Sequence, residues 1–162
     1  MLKNYLRARV LFLGSEILSS VNMEKERLFM QHGTTDVLAH SFNVACISLF
    51  IAYILKLKIN ERALVRGALL HDYFLYDWHE KKTSGLPHGF THPKTALDNA
   101  MRDFSVSPVE QDIIVRHMFP LTIVPPKYTE SAVVCVADKI CAVTETLRLK
   151  RLIIEMYKNK LR

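Results

Sequence analysis

The sequence predicts an all-α protein, a single domain built as a bundle of about six to eight helices. Three observations carry this. Apolar residues recur at helical spacing along almost the whole chain. The 162 residues include only five glycines, too few turn-formers for the many short strands of a β-sandwich. Hydrophobic residues make up 49% and charged residues 23%, the balance of an ordinary globular domain with one core.

The elements follow in order. Leu2, Tyr5, Leu6, Val10, Leu13, Ile17 and Leu18 mark an amphipathic helix over 2–19, with a short helical piece through Met30. Gly33-Thr34-Thr35-Asp36 is a stop followed by capping residues, so the next helix runs from about 36 to 57. It is almost wholly apolar and carries His40 in its first turns. Asn60-Glu61 opens a helix whose Leu64, Val65, Ala68, Leu69 and Leu70 deliver His71 and Asp72. Periodicity then fails from 73 to 92, an aromatic stretch followed by a polar, turn-rich one, which is the pattern of an active-site lid. Pro93 suits the first turn of a helix over about 93–103. A helix after Ser107-Pro108 carries Ile113, Ile114 and His117 and ends at Phe119-Pro120. Pro125-Pro126 marks a loop, Ser131 caps a helix bearing Asp138, and a basic amphipathic helix closes the chain over about 148–161. No strand is expected.

Bulk properties narrow the function. The net charge of +6 and pI near 9.3 favour anionic ligands. The positive charge is spread along the chain outside the last helix, and no nucleic-acid-reading motif is present, so a polymeric nucleic acid is not the expected partner. The longest apolar run, Val44 to Leu55, covers about 12 residues where a membrane helix needs about 20. Cys46, Cys135 and Cys141 form no metal-type pair and read as buried free thiols. With no signal-peptide core at the N-terminus, they place the protein in a reducing cytoplasm.

The chemistry lies in the histidines and aspartates. His40 alone reads as a core histidine, Asp138 as half of a buried ion pair, and Asp72 as a helix cap. All of them in one chain, on three separate apolar helices, point instead to a metal held between the helices of a bundle. His40, His71, Asp72 and Asp138 give two nitrogens and two oxygens and leave positions open for water, which fits a catalytic rather than a structural ion. Mn, Fe, Co, Ni, Zn and Mg are all compatible with such a set.

Three segments resemble motifs of the HD-domain superfamily of metal-dependent phosphohydrolases, in that family's order: His40-Ser41-Phe42-Asn43-Val44-Ala45, Gly67-Ala68-Leu69-Leu70-His71-Asp72 and Val136-Ala137-Asp138-Lys139-Ile140. The likeness covers about residues 33–145. It extends to small uncharacterised bacterial members through 71–78, 89–96 and 114–118. It implies a helical domain with one metal held by His40, His71, Asp72 and Asp138. It also implies an optional second metal, bridged by Asp72 and held by His92 and His117. Two-metal members often have His-His where this chain has His117-Met118. The lysine that often follows the His-Asp pair is replaced here by Tyr73-Phe74-Leu75, leaving Lys81, Lys82, His88 or Lys94 to take its place.

The expected activity is hydrolysis of a phosphate ester in a nucleotide or another small phosphorylated metabolite, with metal-activated water as nucleophile. Asp72, Lys82 and His88 are the candidate catalytic residues. Asp77 reads equally as a general base, a partner of a ligand histidine or a turn residue. Arg116 and Lys139 adjoin candidate ligands but read as surface charge. Trp78, Tyr73 and Tyr76 offer rings for stacking on a base, or pack beneath the loop. The alternatives are a di-iron oxygenase and a non-catalytic module that senses a nucleotide or metal. The first and last helices pack on the domain or on a second copy in a homodimer.

Overall fold

The structure is a computed structural model and describes residues 1–32, 35–78 and 87–147. Among them lie eight α-helices: α1 (Leu2–Leu13), α2 (Ser15–Leu18), α3 (Val21–Lys25), α4 (Val37–Ile54), α5 (Glu61–Leu70), α6 (His88–Asp103), α7 (Pro108–Arg116) and α8 (Thr129–Thr146). The all-α prediction holds. The predicted basic helix over 148–161 lies outside the described residues, as do His79, Lys81 and Lys82.

Helices α4, α5, α7 and α8 close a ring in which each packs on the next. Helix α6 covers α7, and α1 covers α4 and α5. By length and hydropathy α4 would suit a membrane, yet it is the central helix of the bundle, with Val44, Ala45 and Leu49 in the core. Side-chain caps set several helix starts. Asp36 accepts from the Ala39 N–H at 2.8 Å, Asn60 from Ala63 at 3.1 Å, and Ser107 forms a capping box with Glu110 before α7.

Four sequence expectations are corrected. The helix over 2–19 breaks at Gly14, where the chain meets α5 so closely that a Cβ would stand 2.3 Å from Leu69 Cδ1. A two-stranded antiparallel ribbon, β1 (Met30–His32) and β2 (Thr35–Asp36), stands where no strand was expected. Strands of two and three residues are too short to show a period. Helix α6 begins at His88 rather than at Pro93. Pro93 removes one backbone bond there, and the turn before it is held by His92 Nδ1, which donates to the His88 carbonyl at 2.9 Å. Helix α8 begins at Thr129, with Ser131 buried inside it rather than capping it. Its start is held by tertiary contact, because Glu130 in the first turn accepts from the Asn60 N–H at 2.7 Å.

The turn after α5 carries the His-Asp pair and is pinned from two sides. Asn99 of α6 donates to the Tyr73 and Phe74 carbonyls, each at 3.1 Å. The buried Glu26 accepts the Leu75 N–H at 3.0 Å. Leu75 sits at φ 59, a left-handed conformation costly for a leucine. Tyr73 and Phe74 are core residues, with the Tyr73 hydroxyl donating to Asp103 at 2.9 Å.

Candidate metal centre

Helix ends build most of this site. The last carbonyls of an α-helix lack intrahelical partners. His71 caps α5 and its Nδ1–H donates to the Ala68 carbonyl at 2.8 Å; His117 caps α7 and its Nδ1–H donates to Ile114 at 2.7 Å. His92 makes the equivalent bond to His88 in the first turns of α6. Each bond fixes the tautomer and aims a bare Nε2 into the bundle. His40, in the first turn of α4, is oriented differently: its Nδ1 lies 2.8 Å from Glu145 Oε2 on α8.

The nitrogens converge on two carboxylates. His40 Nε2 lies 3.1 Å from Asp138 Oδ1 and 3.8 Å from Asp72 Oδ2. His71 Nε2 lies 3.2 Å from Asp72 Oδ2 and 3.7 Å from Asp138 Oδ1. On its other oxygen, Asp72 Oδ1 stands 3.1 Å from His92 Nε2 and 3.5 Å from His117 Nε2. All six side chains are buried. Two ligand triads result, His40–His71–Asp72 and Asp72–His92–His117, each with its donor atoms within 4.8 Å of one another and with Asp72 common to both.

Buried donors of this kind fit a cation. His71 Nε2 and Asp72 Oδ1 are buried and make no hydrogen bond of acceptable geometry, a costly state for polar atoms. His92 Nε2 and His117 Nε2 face each other at 2.9 Å. Since both Nδ1 atoms already donate, two lone pairs meet unless a proton or a metal lies between the rings. The charges say the same. Burial alone would raise the Asp72 carboxyl, but His71, His117 and His92 overcome it and hold Asp72 well below the usual carboxylate range. His40 and His71 likewise pull Asp138 down against burial. Burial would lower His40, yet its bonds to Asp138 and Glu145 raise it to about 9. In the absence of metal, protons on His40 and His71 balance the carboxylates, and a divalent cation would replace those protons.

The site opens into a cavity of about 760 Å³, within the usual range for small-molecule sites. Its walls are mainly apolar, including Trp78, Met118 and Leu121. Lys139 lines it, and its Nζ donates to the His117 carbonyl at 2.7 Å and lies 4.0 Å from Asp138 Oδ2. Lys139 is a surface charge in part, its side chain 43% exposed, but the turn of α8 carries it over the end of α7 to the cavity wall. Arg116 does point away, bound to Asp112 and to the Pro125 carbonyl. Lys94 is exposed and paired with Asp98, so it does not replace the missing lysine. Candidate catalytic residue Lys82 falls outside the described residues. His88 lines the cavity, stacked between Trp78 and His92, with Nδ1 3.0 Å from the Tyr76 hydroxyl. His32 lies on β1 with its ring 5.1 Å from that of His40.

Two residues at the site were not read from the sequence. Gln31 of β1 donates to Asp72 Oδ2, and no pattern marks it. Glu145 follows Asp138 by two helical turns and so shares its face, a spacing that would have found it.

Residues 37–143 match the family model of the HD domain. No curated protein and no solved structure matches the chain. The matched stretch opens on the first residue of α4 and ends one turn before the end of α8, so it takes in nearly the whole ring of helices and every histidine and aspartate of the two triads: the chain belongs to the HD-domain family.

Proposed function

We propose that this protein is a metal-dependent phosphohydrolase acting on a nucleotide or another small phosphorylated metabolite. The carrying observation is that Asp72 joins two buried ligand triads at the floor of a cavity large enough for such a molecule. His40, His71, Asp72 and Asp138 would hold one cation, and Asp72, His92 and His117 a second. A bound divalent ion of the Mn, Fe, Co, Ni, Zn or Mg group would acidify water and polarise a phosphoryl oxygen. The chain's own residues do the rest. Asp72 keeps both positions in register, and Gln31 holds its carboxylate in place. Lys139 offers the phosphate a positive charge at the cavity wall. Trp78 offers an apolar ring against which a base or other apolar group can lie. The three free thiols suit a reducing cytoplasm.

One observation favours a second reading, a module that binds a nucleotide without cleaving it. Lys139 is the only lysine or arginine among the described residues lining the cavity, and it is already tied to backbone carbonyls. Metal content by mass spectrometry, on the wild type and on His40→Ala, Asp72→Asn and Asp138→Ala, tests the site first. One or two equivalents in the wild type, lost in Asp72→Asn, are expected. Turnover of phosphomonoesters or nucleotides by the loaded protein then supports the hydrolase. Tight nucleotide binding without turnover supports the sensor. A wild type that takes up none of Mn, Fe, Co, Ni, Zn or Mg refutes the hydrolase.

A further inference from the structure

We infer that Glu145 is the positioning residue that sets the affinity of the cation position at His40 and makes it the tighter of the two. The inference rests on the metal-binding reading above. Three ligand histidines, His71, His92 and His117, orient their rings through neutral backbone carbonyls of their own helices. His40 has no such acceptor. It lies in the first turn of α4, and its Nδ1 faces a carboxylate from another helix instead.

Its partner is the Glu145 carboxylate, brought from α8 to 2.8 Å from Nδ1. That carboxylate is itself fixed: Asn43, one turn beyond His40, donates to its other oxygen, Oε1, at 2.9 Å. Glu145 is only 5% exposed, so bulk water does little to screen it. An anion on the far nitrogen makes an imidazole a stronger metal ligand and locks its orientation. The surrounding charge adds to the asymmetry. The position at His40 lies among three carboxylates, Asp72, Asp138 and Glu145, whereas among the described residues that at His92 and His117 has Asp72 alone and shares it.

Titration of Co²⁺ alone into metal-free protein, in competition with a chromophoric chelator, tests this. Wild type should show a tight class and a weak class of site. His117→Ala should abolish the weak class and leave the tight one. Glu145→Ala should weaken the tight class about 10–100-fold while the weak class stays put. Glu145→Gln keeps an acceptor for the His40 Nδ1–H without the charge, so it should fold as the wild type does and fall between the two. Equal affinities at both positions, or a tight class unmoved in both Glu145 variants, would overturn the inference. No Co²⁺ uptake by the wild type would instead sink the metal reading itself.

Discussion

Gly67→Ala would separate the packing of the bundle from the chemistry it supports. Gly67 lies where α5 crosses α7, and an added Cβ would stand 2.4 Å from Ile113 Cδ1, 3.0 Å from its Cβ and 3.1 Å from its Cγ2. The Cδ1 can swing aside. The Cβ cannot, because it is fixed to the α7 backbone. Restoring an ordinary contact of about 3.5–4.0 Å requires α7 to withdraw by roughly 0.5–1 Å. Overpacking of this kind costs about 1–3 kcal/mol, and alanine in place of a helical glycine returns about 1 kcal/mol. The net loss of stability should be about 0–2 kcal/mol. The site should suffer more. Asp72 follows Gly67 by just over one turn and His117 follows Ile113 by one turn, so a withdrawal of α7 lengthens the Asp72–His117 separation, now 3.5 Å. Metal ligands tolerate only about 0.2 Å of error, so affinity at the Asp72–His92–His117 position should fall on the order of 10–100-fold. Urea denaturation of metal-free protein measures the first effect and metal titration the second. A variant as stable as the wild type, with unchanged metal affinity, would refute the claim that this contact sets the site.

Further outcomes follow from other contacts. Arg66 is buried and binds Glu110 at 2.8 Å, Glu16 at 2.6 Å and the Ser105 carbonyl at 2.9 Å; Arg66→Ala leaves buried Glu110 without its cation and should cost about 3–5 kcal/mol in a urea melt. Burial pushes the Glu26 carboxyl up to about 8 from an ordinary value of 4.5. Between those values the folded state binds a proton that the unfolded state has lost, so metal-free protein should lose stability as pH rises from 4.5 to 8. Glu26→Gln should flatten that slope, and melts at pH 5 and pH 9 that differ as much in the variant as in the wild type would exclude Glu26 as its source. Lys139→Ala should raise KM for a phosphorylated substrate by about 10–100-fold, the worth of a hydrogen bond to a charged group, with metal content unchanged.

The sequence by itself determined the helical bundle and the residue types of the site. Period and caps are local properties, so Asp36, Asn60 and Ser107 announce their helices wherever the rest of the chain goes. His40, His71-Asp72 and Asp138 stand out because charged and imidazole groups in apolar helices need partners, and that need is visible without knowing which partners are met. The partners themselves were a matter of tertiary structure. Gln31 reaches Asp72 from a ribbon too short to carry a period, and Glu145 meets His40 across 105 residues of chain. Lys139 enters the cavity only because α8 crosses the end of α7. The resemblance implied that Asp72 is shared between two sets of ligands, but spacing alone could not show it, since the sharing depends on the side from which each helix presents its ring, a direction fixed by packing between helices that one-dimensional spacing does not contain.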